Sequence, residues 1–374
     1  MSNNGRLRIL HVGKFYPPHM GGMETHLEAL CSELKDSVDL DVIVANDENR
    51  TDHDSIRGVN VMRAATLFDF AAAPICPAMV NKIRRSASDV VHIHLPNPAA
   101  ILAYLASGHR GRLVFTYHSD VVRQRVLGRA FQPLLNAALK RAAAVIATSP
   151  NYVASSAVLT AHQSRCRVIP YGISLERFTR CDEGTVTKIR QQYGPKILIS
   201  VGRLIYYKGF EYLIRAMAHT DARLLIVGDG PLRESLEKLA ADIGITERVV
   251  FLGEVPNDDI TPYYHAADVF VLASVARSEA FGIVQLEAMA CGKPVVNTRL
   301  DSGVPFVSLD GVTGITVPPA DPEALAVAIN RLLDNAELRQ QYGEAGTRRV
   351  EAEFTVDRMV ARTLELYDQI MTAD

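Results

Sequence analysis

The sequence contains no tryptophan and few aromatic residues, which make up 7% of the chain. Cysteine is also scarce, odd in number and widely dispersed, at Cys31, Cys76, Cys166, Cys181 and Cys291. Such a set excludes a disulfide framework and a cysteine-based zinc site, and it favours free thiols in a reducing cytoplasm.

Long apolar segments are missing as well. No apolar run reaches the roughly 20 residues that a membrane-spanning helix needs. The polar start, residues 1–5, lacks the apolar core of a signal peptide. We therefore expect a cytoplasmic protein that at most docks on the inner face of a membrane.

Neither sign of charge dominates, because 40 Lys and Arg residues face 42 Asp and Glu residues for a net charge of −2. This balance argues against nucleic acid as a partner. The 374 residues, 48% of them hydrophobic, are enough for two domains with separate cores.

Apolar strands alternate with helices through the first half of the chain. We predict strands at Arg8 to Val12, Leu40 to Ala45, Val59 to Arg63, Asp89 to Ile93, Arg112 to Thr116 and Ala144 to Thr148. The helices between them are predicted near Glu24 to Leu34, Ala78 to Arg85, Pro98 to Leu105, Gly128 to Arg141 and Asn151 to Ala161. This alternation predicts a parallel sheet that is covered on both faces.

A second alternation begins at Lys196. Strands are predicted at Ile197 to Val201, Leu224 to Val227, Val249 to Leu252, Val269 to Leu272 and Pro294 to Asn297, with helices at Phe210 to Ala218, Leu232 to Asp242, Asn257 to His265, Gly282 to Ala290 and Pro322 to Leu333. The pattern predicts an α/β protein with a first domain over 1–171, a linker over 172–195, a second domain over 196–352 and an amphipathic C-terminal helix within 353–374.

Two carboxylates eight residues apart, Glu279 and Glu287, flank a Phe281-Gly282 turn that opens a predicted helix. The amides at the start of a helix attract anions, and carboxylates accept hydrogen bonds from sugar hydroxyls. The plainer interpretation is a buried amphipathic helix with solvated Glu residues at its ends.

A cationic loop upstream favours the ligand interpretation. Arg203 and Lys208 follow the predicted strand Ile197 to Val201, and open α/β sheets bind ligands at the carboxyl ends of their strands. An Arg fork and a Lys ammonium can share a diphosphate. With Glu279 and Glu287 in the same half of the chain, the four residues predict a nucleotide-sugar pocket.

These segments, taken together and in order, resemble glycosyltransferase family 4. The resemblance rests on the Glu279 to Glu287 segment and the Gly202-Arg203 to Lys208-Gly209 loop, together with Gly228-Asp229-Gly230-Pro231, Phe15 to Glu24, Thr116 to Asp120, Val168 to Ile173 and Asp310 to Gly314. It implies the GT-B fold, in which two doubly wound Rossmann-like domains face each other across a cleft and the C-terminal helix crosses back to the first domain. Within the family, mannosyl- and rhamnosyl-type polysaccharide-assembly enzymes look nearest.

The resemblance implies a retaining enzyme that moves a hexose from a GDP- or UDP-linked donor to a glycan or a lipid-linked acceptor. It implies that Arg203 and Lys208 stabilise the leaving diphosphate without a metal or other cofactor, that Glu279 contacts the donor sugar and that Glu287 holds the ribose. Matching positions add His118 at the donor sugar, Val255 at the base, and the backbone of Phe281, Gly282, Ile283 and Val284 at the diphosphate.

Gly21 and Gly22 precede the first predicted helix and do not form a G-x-G-x-x-G fingerprint. They fit two interpretations from the residues alone, a loop that lets phosphate or sugar approach the backbone and a turn that needs positive φ. The resemblance favours a loop near the donor diphosphate and the acceptor.

Two patterns have the form of metal motifs. His92 and His94 lie on one face of a predicted strand, but no Cys or carboxylate accompanies them at metal-site spacing, which favours packing and hydrogen bonding. Asp39-Leu40-Asp41 matches the metal motif of a different glycosyltransferase fold and enters an early strand here. We therefore expect no metal site.

Two positions depart from the family pattern and bear on the donor. Tyr171 stands where many members have Asn, and Phe306 replaces the Glu of a Gly-Gly-x-Pro-Glu loop.

A basic amphipathic stretch from Val121 to Arg141 fits either an anionic membrane surface or an ordinary surface helix. A sugar-nucleotide epimerase or hydrolase, and a non-catalytic nucleotide-sugar-binding protein, remain the alternative functions.

Overall fold

The computed structural model describes residues 6–19, 21–70, 73–120 and 125–373. Its strands are β1 Arg8–Val12, β2 Asp39–Ala45, β3 Asp52–Ile56, β4 Val59–Ala64, β5 Phe68–Phe70, β6 Ala73–Ile75, β7 Val90–Leu95, β8 Arg112–Tyr117, β9 Ala144–Ala147, β10 Cys166–Val168, β11 Ile197–Val201, β12 Arg223–Val227, β13 Val249–Gly253, β14 Val269–Leu272, β15 Val295–Thr298 and β16 Gly314–Val317.

The α-helices are α1 Gly22–Leu34, α2 Pro77–Arg85, α3 Pro98–Ser107, α4 Arg125–Arg141, α5 Pro150–Ser155, α6 Ala157–Ala161, α7 Glu176–Thr179, α8 Glu183–Tyr193, α9 Phe210–Ala216, α10 Arg233–Asp242, α11 Thr261–Ala266, α12 Val284–Ala290, α13 Val304–Val307, α14 Pro322–Leu333, α15 Ala336–Glu353 and α16 Val356–Thr372. Six of these helices, α2, α3, α5, α11, α13 and α14, carry proline in the first turn, where its missing N–H costs nothing.

The chain divides into two compact units, one formed by Met1–Gly172 with Val356–Asp374 and the other by Ile173–Thr355. The first unit contains an eight-stranded sheet in the order β10-β9-β8-β7-β1-β2-β4-β3. All of its pairings are parallel except β3 with β4, which places the antiparallel strand at the edge. Its central strand β7 is buried throughout, and β8 is buried in all but its first residue, Arg112, since helices cover a parallel sheet on both faces.

Helix α16 belongs to the first unit although it ends the chain. Its apolar face, including Met359, Tyr367 and Ile370, packs with Ile9 of β1 and Leu30 of α1 in one core cluster. The apolar face of this amphipathic helix therefore completes the core of the first unit.

The second unit contains a six-stranded sheet in the order β13-β12-β11-β14-β15-β16, and every pairing in it is parallel. Its core cluster combines strand residues such as Leu198, Leu224 and Val271 with Leu213 of α9 and Ile329 of α14. Strand order reverses direction between β11 and β14, so the carboxyl ends of these two neighbours form the topological switch point at which open α/β sheets bind ligands.

The predicted linker and two predicted helices differ from what is observed. The predicted helix from Asn257 to His265 is a 3₁₀ turn, Asn257–Asp259, followed by α11. Residues 172–195, predicted as a linker, hold helices α7 and α8, and from Ile173 onward they lie within the second unit. The predicted helix from Asn151 to Ala161 is two helices, because Ser156 adopts extended backbone and its hydroxyl accepts a hydrogen bond from the Leu159 amide as the cap of α6.

None of the helices in the described parts of the chain combines the length and the apolar composition that crossing a bilayer requires. Within the predicted basic stretch, residues 121–124 lie outside the described ranges. Farther along α4, Ala138 and Leu139 are buried while Lys140 and Arg141 are exposed.

Candidate active site

The loop after β11 is fixed by close backbone contact with the loop after β12. The amide of Leu204 donates to the Asp229 carbonyl at 2.9 Å, and a Cβ added at Gly228 would lie 2.3 Å from the Gly202 carbonyl oxygen. Only glycine allows this approach, since Gly228 also has a φ of 124°. The Gly228-Asp229-Gly230-Pro231 motif therefore supports the loop that carries Arg203.

Arg203 itself is exposed, and its guanidinium makes no hydrogen bond or ion pair with any residue that the structure describes. It stands two residues beyond the last residue of β11, at the switch point of the sheet. An exposed cation without a partner among the described residues is available to an anionic ligand.

Lys208 ends a short 3₁₀ turn, Tyr206–Lys208, and is largely buried. Its Nζ lies 2.6 Å from Oε2 of Glu279, an oxygen that also accepts a 3.0 Å hydrogen bond from the hydroxyl of Ser274. Burial alone would lower the pKa of Lys208, but the Glu279 carboxylate outweighs it and raises that pKa. Lys208 is therefore charged, and its charge is held in a defined position.

Glu287 lies on α12 with its carboxylate fixed at one oxygen. The buried hydroxyl of Tyr264, from α11, donates a 2.7 Å hydrogen bond to Oε2 of Glu287. Burial raises the pKa of Glu287, while the Tyr264 hydrogen bond and the charges of Arg177 and Lys208 oppose that increase. The second oxygen, Oε1, accepts no hydrogen bond from the described residues and can serve a ligand hydroxyl.

The segment Phe281 to Val284 connects the two carboxylates. Phe281 is buried, Gly282 has a φ of 75°, Ile283 caps the helix and Val284 is its first residue. A Cβ at Gly282 would lie 2.8 Å from both Leu272 of β14 and Gln285 of α12, so glycine is required sterically as well. Val255 lies in the loop after β13 and is partly buried.

The first unit carries the remaining predicted site residues. Gly21 has extended backbone, with a φ of 174°, and Gly22 is the first residue of α1. A Cβ added at Gly22 would meet nothing within 4 Å, and Gly22 is not among the glycines with positive φ. The interpretation of these glycines as a turn that needs positive φ is therefore wrong, and open space lies above Gly22.

His118 follows β8 and is buried, with both ring nitrogens hydrogen-bonded. Nδ1 faces the hydroxyl of Tyr171, and Nε2 lies 3.0 Å from Nδ1 of His94. Burial keeps the pKa of His118 well below its ordinary value, so the ring is neutral. Tyr171, which departs from the family pattern, thus binds a predicted site residue directly.

Phe306, the other departure, packs inside the second unit. Its ring centroid is 5.8 Å from that of Phe354, and the Arg349 guanidinium lies 5.5 Å from it. The Arg349 guanidinium also donates to the Phe306 and Val307 carbonyls. Phe306 therefore contributes aromatic and cation–π contacts where a Glu would bring charge.

Sequence reasoning missed the groups that hold the site carboxylates. Ser274 and Tyr264 orient Glu279 and Glu287 but belong to no motif, and Tyr264 comes from a short helix far from Glu287 along the chain. Lys208 contacts Glu279 and its charge acts on Glu287, and Arg203 lies in the same loop as Lys208, so two cations and two hydroxyl acceptors occur at this edge of the sheet. Chemically this combination suits a ligand that contains both a diphosphate and sugar hydroxyls.

Comparison with known families matches both halves of the chain. Residues 20–177 match the model described as Glycosyltransferase Family 4, and residues 185–349 match Glycosyl transferases group 1. The two matches fall largely within the first and the second compact unit, respectively.

Three curated relatives align over most of their own length and of this chain. The Escherichia coli O-antigen chain mannosyltransferase C is 32% identical over 98% of this chain and 99% of its own. D-rhamnosyltransferase WbpZ of Pseudomonas aeruginosa is 32% identical over 93% of this chain and 92% of its own. A GDP-mannose-dependent phosphatidylinositol monomannoside mannosyltransferase of Mycolicibacterium smegmatis is 31% identical over 90% and 92%, respectively.

Among solved structures, sucrose-phosphate synthase from Thermosynechococcus elongatus superposes with a TM-score of 0.82. It covers 98% of this chain and 100% of its own at 24% identity, a level at which the likeness concerns the fold alone. The whole chain therefore has the GT-B architecture, as sucrose-phosphate synthase does.

Proposed function

We propose a donor, an acceptor class and residue roles for this chain, which belongs to glycosyltransferase family 4 and is a glycosyltransferase. The proposed reaction moves a mannose-type hexose from a GDP-linked donor to a hydroxyl of a glycan or a lipid-linked acceptor. Two of the three relatives above are named as mannosyltransferases, and one of these is named as GDP-mannose-dependent. Their names support the choice of sugar and base.

The observation that carries the proposal is the charge arrangement at the carboxyl end of β11. Lys208 is held by Glu279 at 2.6 Å, and Arg203, in the same loop after β11, is exposed. As the bond between the anomeric carbon and the diphosphate oxygen breaks, negative charge grows on the β-phosphate. Lys208, which Glu279 fixes, and the exposed Arg203 stabilise that charge, and electrostatic stabilisation of this kind lowers a barrier.

The remaining roles follow from the groups that each residue leaves available. Glu287, fixed by Tyr264 through one oxygen, offers the other to the ribose hydroxyls. Glu279 lies next to Lys208 and contacts the donor hexose, and Val255 seats the base. The backbone of Phe281, Gly282, Ile283 and Val284 lies at the diphosphate, and Gly21 and Gly22 leave room for the ligand. The role of His118 at the donor sugar follows from the family resemblance, since both of its ring nitrogens already have protein partners.

We further propose that transfer retains the anomeric configuration and needs no metal ion. The acceptor hydroxyl attacks from the face that the diphosphate leaves, and its proton passes to the departing phosphate oxygen. Nuclear magnetic resonance of the product should then give an α-linkage from an α-linked donor. Because Arg203 and Lys208 supply the positive charge, added Mg²⁺ or Mn²⁺ should leave kcat unchanged.

Thermal unfolding of the purified protein with GDP, UDP, ADP or dTDP tests the donor class. A ligand present at about 100 times its Kd stabilises the folded state by roughly 2.7 kcal/mol. We expect GDP to raise Tm most, and radiolabelled GDP-mannose then to label an added glycan. Release of free mannose without transfer would favour a hydrolase, and no Tm shift with any nucleotide would contradict the proposed site.

The lipid-linked acceptor suggests peripheral membrane contact through the basic stretch that ends at Lys140 and Arg141, both of which are exposed. Anionic lipid attracts clustered cations by about 1 kcal/mol per charge near the surface. Sedimentation with anionic vesicles but not with neutral ones is the expected result. Equal sedimentation with both would assign the stretch to an ordinary surface helix.

A further inference from the structure

Five histidines of the first unit are gathered at the carboxyl ends of its central strands. His11 lies on β1, His92 and His94 on β7, His118 just after β8, and His26 on α1, and none of them is more than 6% exposed. The function proposed above uses only His118. The other four rings need a separate explanation, because buried polar groups normally have partners.

A chain of hydrogen bonds explains four of the five rings. It runs from Tyr171 through His118, His94 and His11 to Tyr367 and then to His92 and Thr116, with separations of 3.0 Å between His118 and His94, 3.0 Å between His94 and His11, 3.2 Å between His11 and Tyr367, 2.6 Å between Tyr367 and His92 and 2.7 Å between His92 and Thr116. A neutral imidazole offers one donor and one acceptor, so every contact is satisfied if all the protons point the same way.

His26 takes no part in this series of hydrogen bonds. Neither of its ring nitrogens has a hydrogen-bond partner among the described residues, and the side chain is only 6% exposed. A buried polar group without a partner destabilises the folded state, so a ligand that satisfies His26 is favoured. The His26 ring nevertheless lies beside two of the hydrogen-bonded rings, and its centroid is 5.1 Å from that of His118 and 5.7 Å from that of His94.

The three rings have the spacing of a metal-ligand set. His26, His94 and His118 each offer one ring nitrogen, and these atoms all lie within 4.8 Å of one another. Zn–N bonds of about 2.0–2.1 Å place tetrahedral ligand nitrogens about 3.3 Å apart. The facing nitrogens of His94 and His118, now 3.0 Å apart, would open slightly, and His26 would turn inward.

The outer nitrogens of the same rings are already oriented for this purpose. With a metal on its Nδ1, His94 donates from Nε2 to His11, and with a metal on its Nε2, His118 donates from Nδ1 to Tyr171. Partners of this kind fix the tautomer and the ring orientation of metal-binding histidines. The alternative triad of His11, His92 and His94 fits less well, because both nitrogens of each ring are already hydrogen-bonded.

We propose that His26, His94 and His118 bind one first-row transition-metal dication of the kind that imidazole prefers, such as Zn²⁺, Co²⁺ or Ni²⁺. Three neutral ligands leave a fourth position for water or hydroxide, and hydroxide would offset part of the buried charge. The ion would tie α1 to β7 and to the segment after β8, and it would satisfy His26. The proposal departs from the expectation of no metal site. That expectation rested on ligands near His92 and His94 in sequence, whereas His26 and His118 are distant from them along the chain and could not be recognised.

The site lies in the first unit and shares only His118 with the donor site proposed above, so it is tested by metal binding and not by sugar transfer. Protein freed of its affinity tag and purified without a metal column is analysed for bound metal and then titrated with Co²⁺ and Zn²⁺. We expect one ion per chain, visible absorption typical of cobalt with nitrogen ligands in tetrahedral geometry, and a rise in Tm on adding Zn²⁺. Lack of stoichiometric binding would overturn the proposal.

The variant His26→Leu separates this site from adventitious binding. Because the His26 ring makes no hydrogen bond with the described residues, its replacement by an apolar side chain should leave Tm without metal unchanged or higher, while Zn²⁺ affinity falls by at least about 100-fold. The matched control His53→Leu removes an exposed histidine of the same unit and should keep wild-type affinity. Binding that survives His26→Leu would assign the ion to surface groups and contradict the proposed ligands.

Discussion

Arg203 is the residue whose replacement tests the donor site most directly. Its side chain is exposed and is not hydrogen-bonded or ion-paired to described residues, so Arg203→Ala should leave Tm nearly unchanged. Loss of a charged group aimed at the leaving diphosphate should lower kcat/KM by about 10²–10³-fold. Initial rates with GDP-mannose and a glycan acceptor measure the effect.

A control for general loss of positive charge is Arg215→Ala. Arg215 is an exposed cation on α9 of the same unit, away from the loop after β11. We expect its removal to change kcat/KM by less than about twofold, as for ordinary surface substitutions. Equal losses in both variants would mean that Arg203 acts only through the net charge of the protein.

Tyr264 is expected to set the pH at which the nucleotide is lost. Glu287 must be ionised to accept ribose hydrogen bonds fully, and its pKa is raised by burial but held down in part by the Tyr264 hydroxyl. Nucleotide affinity should therefore fall as the pH drops through this raised pKa. In Tyr264→Phe the lowering contribution is gone, so affinity should begin to fall at a higher pH.

Titration calorimetry with GDP at a series of acidic to neutral pH values tests this shift. The neighbouring Tyr263→Phe is the matched control, since Tyr263 forms no side-chain hydrogen bond with Glu287. An unchanged pH midpoint in Tyr264→Phe, with the same affinity at neutral pH, would show that the tyrosine does not act through the Glu287 carboxylate.

Helix α15 packs against the rest of the second unit partly through glycine rather than only through large apolar side chains. Gly343 is buried, and a Cβ added there would lie 2.1 Å from the carbonyl oxygen of Gly292 and 2.9 Å from its carbon. Backbone on both sides cannot yield as a flexible side chain can. Gly343→Ala should therefore lower stability by about 1–3 kcal/mol, despite the better helix propensity of alanine.

The same helix supplies the control for that substitution. The three atoms nearest to a Cβ at Gly346 all belong to Met289, with its Cγ closest at 3.2 Å, and methionine adapts readily to new contacts. Gly346→Ala should thus change the unfolding temperature little. A larger loss at Gly346 than at Gly343 in thermal denaturation would contradict this account of the packing.

The glycine face also explains why α15 could not be predicted from hydrophobic periodicity. Its buried positions include Tyr342, Gly343, Gly346 and Val350, only two of which are large and apolar. By contrast, β1, β11 and β14 were predicted with their observed bounds, because continuous runs of Val, Ile and Leu are typical of buried parallel strands. The strands β10, Cys166–Val168, and β16, Gly314–Val317, lack such a run, because Arg167 interrupts the first and the second begins with Gly314 and contains Thr316.

The candidate site divides in the same way. Arg203, Lys208, Glu279 and Glu287 could be predicted to converge, since each follows a recognisable strand or opens a helix at the carboxyl edge of one sheet. The groups that orient them come from segments without a motif. His26 likewise reaches His94 and His118 only through the packing of α1, which no local pattern encodes.

At the scale of the whole molecule, the two compact units have separate sheets and cores. All four charged groups proposed to bind the nucleotide part of the donor or its sugar belong to the second unit. We therefore predict that GDP slows amide hydrogen exchange mainly in two segments of that unit, residues 202–209 and 273–287. Mass spectrometry of peptic peptides, with and without GDP, measures this protection.

Arg203→Ala supplies the reference state for the exchange experiment, because it should keep the fold and lose most of the protection at the same GDP concentration. Local opening governs exchange in such loops, so a bound diphosphate slows it in proportion to its occupancy. Protection confined to peptides of the first unit would place the nucleotide away from Arg203 and Lys208. The diphosphate roles would then have to be reassigned, whereas the family membership, which rests on the whole chain, would stand.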